Sequence, residues 1–309
     1  MIFISAQPAE TYFAWQLAVQ LNNFKEVGID LNKCHVLLAK KGEIPDSIFS
    51  LIGQYEPLGV KFFIKADKTN RKYLPSVRFW LLNFYQQYRP EVFEEEIFYH
   101  DSDIIFREKP DFCDLTTDDT WYCADARSYL DVSYITSKGK GLLENMCGIV
   151  KIDPVKVKFN NLNAGGVQYL LKKIPEGFFH KCEYDSEKMY RFLNKSIDLY
   201  KYLHELNNKT PYYPIQHWCT DMWVLWWNAL LAKRNFKISE LLSFTWATDV
   251  IENWNNTVIF HNAGVTAETK HLFNKTDYKH DIPIGKEITT SDHHCSWYYV
   301  EAIKRTPCL

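Results

Sequence analysis

Apolar and polar positions alternate in blocks along the first hundred residues. Ile2 to Ser5 is a short apolar run, a predicted strand, and Ala6-Gln7-Pro8 ends it in a loop. Phe13, Leu17, Leu21 and Phe24 then recur at helical spacing, which predicts a helix over Glu10 to Phe24. Cys34 to Ala39 reads as a second strand, Asp46 to Tyr55 as a helix capped by Asp46, and Val60 to Ile64 as a third strand. Pro75 opens a helix to Tyr88, Pro90 stops it, and an apolar run leads into Asp101. Strand and helix thus alternate four times. That pattern is a doubly wound α/β sheet, in which ligands bind beyond the carboxyl ends of the strands.

After Pro110 the alternation loosens. Trp121 to Ala124 predicts a strand and Gly141 to Val150 a short helix. The stretch Asn161 to Tyr169, with Ala164, Gly165 and Gly166, reads as a small-residue turn before an apolar helical start, where backbone can approach a ligand closely. Tyr184 to Leu206 reads as a surface helix and Gln216 to Lys233 as a strongly apolar one, with Asp221 near its start. Val258 to Phe260 is a last strand ending at His261-Asn262-Ala263-Gly264, and the polar tail from Lys270 onward reads as an irregular cover. With no linker or repeat, one domain is expected over 1–309, in parts 1–110, 111–264 and a C-terminal cover, 265–309.

Composition narrows the partners. A formal net charge of −2 without a basic block argues against electrostatic binding of nucleic acid. The chain has no uncharged run of membrane-spanning length, so no integral membrane segment is expected. Its start lacks the pattern of a signal peptide, and its 8 cysteines include no Cys-x-x-Cys pair. Reduced thiols and a cytoplasmic location are therefore expected. The 49 aromatic residues (10 Trp, 19 Tyr and 20 Phe) suit both a core and the flat faces of sugars.

The chemistry concentrates at Asp101-Ser102-Asp103, set between the apolar runs 97–99 and 104–106. Two carboxylates one residue apart repel unless a positive charge sits between them, and hard dications such as Mn²⁺ or Mg²⁺ prefer such oxygen ligands. No glycine-rich loop follows the first strand, so neither a dinucleotide fingerprint nor a P-loop is present. Asp292-His293-His294-Cys295 matches the letters of a palmitoyltransferase motif, but the membrane helices and zinc module of that family are missing from the sequence.

Taken in order, Arg78, Asp101-Ser102-Asp103, Asn163-Ala164-Gly165-Gly166, Asp221 and the strand-end His261 with Gly264 resemble the nucleotide-sugar glycosyltransferases of the GT-A fold, particularly glycogenin-like retaining enzymes. The Tyr12-Phe13-Ala14-Trp15-Gln16 start and the Gly165 to Tyr169 turn are also similar to peptidyl-serine galactosyltransferases and hydroxyproline arabinosyltransferases. The resemblance implies a Rossmann-like single domain with a mixed, mostly parallel central sheet flanked by helices. It implies a hexosyl- or pentosyltransferase that uses a UDP-sugar, Mn²⁺ or Mg²⁺, and a glycan, peptide or small-molecule hydroxyl acceptor, with retention. A sugar- or nucleotide-binding module of the same fold without turnover is the alternative.

By the same resemblance Asp101, Asp103 and His261 hold the metal, and Asp101 and Ser102 face the donor. Ser5, Ala6 and Gln7 line the base and ribose pocket, Arg78 meets the donor sugar or phosphates, and Ala164, Gly165 and Gly166 press against the sugar. Asp221 is the catalytic carboxylate, binding sugar hydroxyls. Two departures stand out: Met222 follows Asp221 where the glycogenin-like pattern has Gln, and no Lys-Pro-Trp follows Gly264, leaving Lys270 as a loose substitute. An inverting enzyme would instead need a base such as Asp125 or Asp249.

Overall fold

The β-rich runs and the helical runs of the sequence become elements largely where their periodicities fall. The computed structural model describes residues 1–208 and 210–309. In chain order the strands and helices are β1 (Ile2–Pro8), α1 (Thr11–Glu26), β2 (Cys34–Lys40), α2 (Asp46–Tyr55), β3 (Lys61–Ala66), α3 (Ser76–Tyr88), β4 (Ile97–Tyr99), β5 (Ile104–Phe106) and β6 (Trp121–Asp125). There follow α4 (Arg127–Leu130), α5 (Val132–Lys138), α6 (Leu142–Val150), α7 (Pro154–Phe159), β7 (Gly165–Leu171), α8 (Phe178–Asn207) and α9 (Thr220–Leu231). The chain ends with β8 (Phe236–Ile238), β9 (Phe244–Trp246), β10 (Ile259–His261) and α10 (Ser296–Arg305).

The fold is α/β, with a seven-stranded, mostly parallel sheet flanked by helices, and a separate three-stranded sheet. The chain divides into two compact units, the first from 1–68, 97–116 and 241–309, the second from 69–96 and 117–240. In the first unit β3, β2, β1 and β4 lie side by side, all parallel, and the small sheet runs β5-β10-β9. There β10 is antiparallel to β5 and parallel to β9. In the second unit β6 pairs antiparallel with β7 and parallel with β8. No helix among the described residues is long and apolar enough to cross a membrane.

Several expectations are corrected. Ser5, Ala6 and Gln7 are not a loop: they continue β1 and pair with Val36, Leu37 and Leu38 of β2. The first turn of α2 contains Asp46, but Pro45 precedes it as cap and no side chain caps the helix. The run from Gly165 is a strand rather than a helical start. All seven residues of β7 are buried, so both faces are covered and the sequence shows no alternation. A 3₁₀ turn, His217–Cys219, precedes α9, which therefore begins at Thr220 and not at Gln216. The tail is not wholly irregular, because α10 buries Tyr299, Val300, Ala302 and Ile303 on one face. None of the eight cysteines is paired, and six are buried.

Candidate functional site

The first unit builds an acidic turn from three pieces of chain. β4 ends at Tyr99, and the His100 N–H still reaches back to the Ile4 carbonyl (3.1 Å), so the chain leaves the sheet edge at Asp101. It turns at once into β5. Across the small sheet His261 is registered opposite Ile104, and the Asn262 N–H donates to the Asp103 carbonyl (3.0 Å). This ladder delivers the imidazole to the carboxylates: His261 Nε2 lies 3.5 Å from Asp101 Oδ2 and 3.3 Å from Asp103 Oδ1. Three residues on, Gly264 has φ +86°, a left-handed turn that a side chain would strain.

Helix α1 holds the turn from beneath. Gln16, Gln20 and Asn23 are all buried on a helix that is otherwise apolar there. Gln16 Oε1 accepts from Ser102 Oγ (3.2 Å), and Gln20 Nε2 donates to the Asp101 carbonyl (2.7 Å). The Asn23 amide donates to the Phe106 carbonyl (2.9 Å) and accepts from the Phe106 N–H (2.7 Å). Such buried amides are stable only when paired, so their spacing of four and three residues matches one helix face to one turn. These residues were missed in the sequence reading, although three amides on an apolar helix face were a visible signal.

A second missed residue is Lys275, on the 3₁₀ turn Lys275–Tyr278. Its ammonium ion-pairs with Asp103 Oδ2, whereas Lys270, the substitute suggested by sequence, is exposed. Burial pushes the Asp103 carboxyl up, but Lys275 and His261 outweigh it and hold the group well below the usual carboxylate range. The lysine responds in the opposite sense: burial lowers it, and Asp103 more than reverses that. Tyr12 and Tyr299 are raised, first by burial and also by the nearby Asp103 charge.

The donor set fits a hard or borderline dication. Two carboxylates and one imidazole offer ligand atoms all within 4.8 Å of one another. The 3.3 and 3.5 Å spacings are close to the roughly 3 Å that separates adjacent ligands at bond lengths of about 2.1–2.2 Å. Among the described residues this is the one cluster of its kind. The buried His261 Nδ1 has no hydrogen-bond partner among them, and Trp246 stacks on the ring at 6.3 Å.

In the second unit Asp221 sits in the first turn of α9, where the helix dipole favours a carboxylate. Its Oδ1 accepts from the Tyr73 hydroxyl (2.7 Å), its backbone N–H donates to the same hydroxyl (3.1 Å), and Arg78 lies 3.7 Å from Oδ2. The structure thus brings together two residues, Arg78 and Asp221, that the sequence assigned to the donor. Burial, and then the Asp221 charge, push the Tyr73 hydroxyl well above its ordinary value, so it stays a proton donor.

Ala164, Gly165 and Gly166 are buried. A Cβ on Gly165 would lie 2.0 Å from Cys123 Sγ, and one on Gly166 would lie 2.7 Å from Met222 Sδ. Close packing against β6 and α9 therefore accounts for both glycines. Asp125, one of the bases considered for inversion, is engaged by the Arg127 guanidinium (2.6 Å).

No protein-family model matches the chain, and no curated protein sequence matches it. Among solved structures it is similar to the WbbM bifunctional glycosyltransferase, with a TM-score of 0.50 at 9% identity over 99% of this chain and 50% of that one. This chain thus spans about half the length of WbbM. The galactosyltransferase LgtC, solved with donor and acceptor sugar analogs, gives a TM-score of 0.47 at 9% identity over 100% and 97% of the two chains. Mouse xyloside xylosyltransferase 1 gives 0.41 at 11% identity over 84% and 96%. The sheet and its flanking helices are those of a GT-A fold.

Proposed function

We propose that this protein is a metal-dependent glycosyltransferase. It moves a hexose or pentose from a UDP-sugar to a hydroxyl on a glycan, protein or small-molecule acceptor, with retention of anomeric configuration. What supports this reading is the convergence of Asp101, Asp103 and His261 just beyond the carboxyl end of a parallel strand, where α/β sheets bind ligands. The resemblance to glycogenin-like enzymes supplies the base and the stereochemistry.

In this reading Asp101, Asp103 and His261 hold Mn²⁺ or Mg²⁺. The ion supplies Lewis-acid stabilisation of the diphosphate charge that develops as the glycosidic bond breaks. Each preorganised group aimed at such charge is worth about 3–4 kcal/mol of barrier. Lys275 offers a second, tethered positive charge at the same turn. Ser5, Ala6 and Gln7 line the base and ribose, and Arg78 meets the donor. Asp221, fixed by Tyr73 and Arg78, takes the sugar hydroxyls as an acceptor. Eight unpaired thiols support a reducing compartment such as the cytoplasm.

The test is Asp103→Asn, which keeps size and removes one charged ligand. Release of UDP from UDP-sugars should fall by at least about a hundredfold, the loss of ~3 kcal/mol, with far-UV circular dichroism unchanged. Turnover equal to the parent in a folded variant would remove Asp103 from the mechanism and this reading with it.

A further inference from the structure

The second unit carries a surface feature that the donor chemistry does not use. A cavity of about 380 Å³ opens beside α7, with Val155, Phe159 and Leu230 among its apolar walls and Lys156, Arg234 and Lys237 among its polar ones. No carboxylate lines it among the described residues. Helix α7 is fixed: Asp153 caps it, accepting from the Val155 N–H (2.9 Å), and Val157 is fully buried. Four residues apart on that helix, Val155 and Phe159 share a face and point outward, 67% and 93% exposed. Leu162, just beyond the helix, is 74% exposed.

Water gains nothing from a phenylalanine held out this far, and a rigid helix holds it there. Apolar side chains projecting beside cations with no carboxylate among the lining residues are the pattern of a protein that rests on a bilayer. Rings and branched chains enter the headgroup–acyl boundary while Lys and Arg meet lipid phosphates. Neither Lys158, which pairs with Glu144 at 3.4 Å, nor Arg234, which donates to the Lys173 carbonyl (2.6 Å) beside the Trp121 ring, counts toward the cations. A protein partner would need about 800 Å² per side for a stable interface, more than three projecting apolar residues supply.

We propose that this face docks the protein on an anionic membrane surface, with Phe159 and Val155 inserted and Lys156 and Lys237 on the phosphates. The two terms are needed together, because each alone gives only marginal, reversible attachment.

The experiment is co-sedimentation of the full chain with phosphatidylcholine vesicles, with or without phosphatidylserine. The protein should pellet with the anionic vesicles, not the neutral ones, and should be released in about 1 M salt, where the screening length falls to about 3 Å. Phe159→Ser should weaken partition by about tenfold or more, and Lys156→Gln and Lys237→Gln by about fivefold each. All three side chains lie at the surface, so the thermal midpoint serves as a folding control and should not move. Absence from the anionic pellet, equal pelleting with neutral vesicles, or variants that pellet like the parent would each overturn the proposal.

Discussion

At the scale of single residues, the acidic turn is a balance of like charges and one lysine. Asp101 and Asp103 are readable from sequence because carboxylates two apart between apolar runs are unusual. His261 enters only through the resemblance, because a lone His at a strand end is more often structural. Lys275 is not readable, since only the fold carries it to Asp103. Asp103 is buried, so its charge depends on the partners that hold it. Lys275→Met should therefore destabilise the metal-free protein by up to about 3 kcal/mol, the low end for breaking a buried pair, since Lys275 is partly exposed. Added Mn²⁺ should recover much of that loss, because it supplies the missing positive charge to the same carboxylate. Thermal unfolding with and without Mn²⁺ decides it: an unchanged midpoint in the variant, or a loss that Mn²⁺ leaves untouched, would mean Lys275 does not neutralise Asp103.

At the scale of elements, the site depends on how α1 and β10 grip one turn. Asn23 satisfies both the N–H and the carbonyl of Phe106, so Asn23→Leu leaves two buried backbone groups unpaired. At about 1–3 kcal/mol per orphaned group, the variant should lose roughly 2–4 kcal/mol, measured by chemical denaturation. A loss below about 0.5 kcal/mol, the range of an ordinary surface substitution, would show that the amide does not clamp the turn. Elements were legible where periodicity was one-sided: α2 falls on its expected ends. Burial on both faces removes alternation; β2 still showed as an unbroken apolar run, but β7, which opens on two glycines, did not. β7 is covered on both faces, so Gly165 to Leu171 lost the alternation that marks a strand. Short strands such as β8 and β9, three residues each, carry too few positions for any period to register. The α10 stripe of Tyr299, Val300 and Ile303 was hidden by the polar, histidine-bearing stretch before it.

At the scale of the whole molecule, the doubly wound pattern of the first hundred residues was enough for fold class. It could not reveal that residues 241–309 return to the unit begun by residues 1–68. That return is what sets His261 and Lys275 at Asp103, three distant stretches in one site. The order of motifs anticipated the His261 part of this, through resemblance, and physical periodicity did not. The central claim is that this convergence binds a divalent metal and, through it, a nucleoside diphosphate. Calorimetry of UDP with Mn²⁺ and then with excess chelator tests it most directly. UDP should bind with Mn²⁺ and lose more than about tenfold in affinity, ~1.4 kcal/mol, when the metal is removed. Equal affinity in chelator would contradict the account.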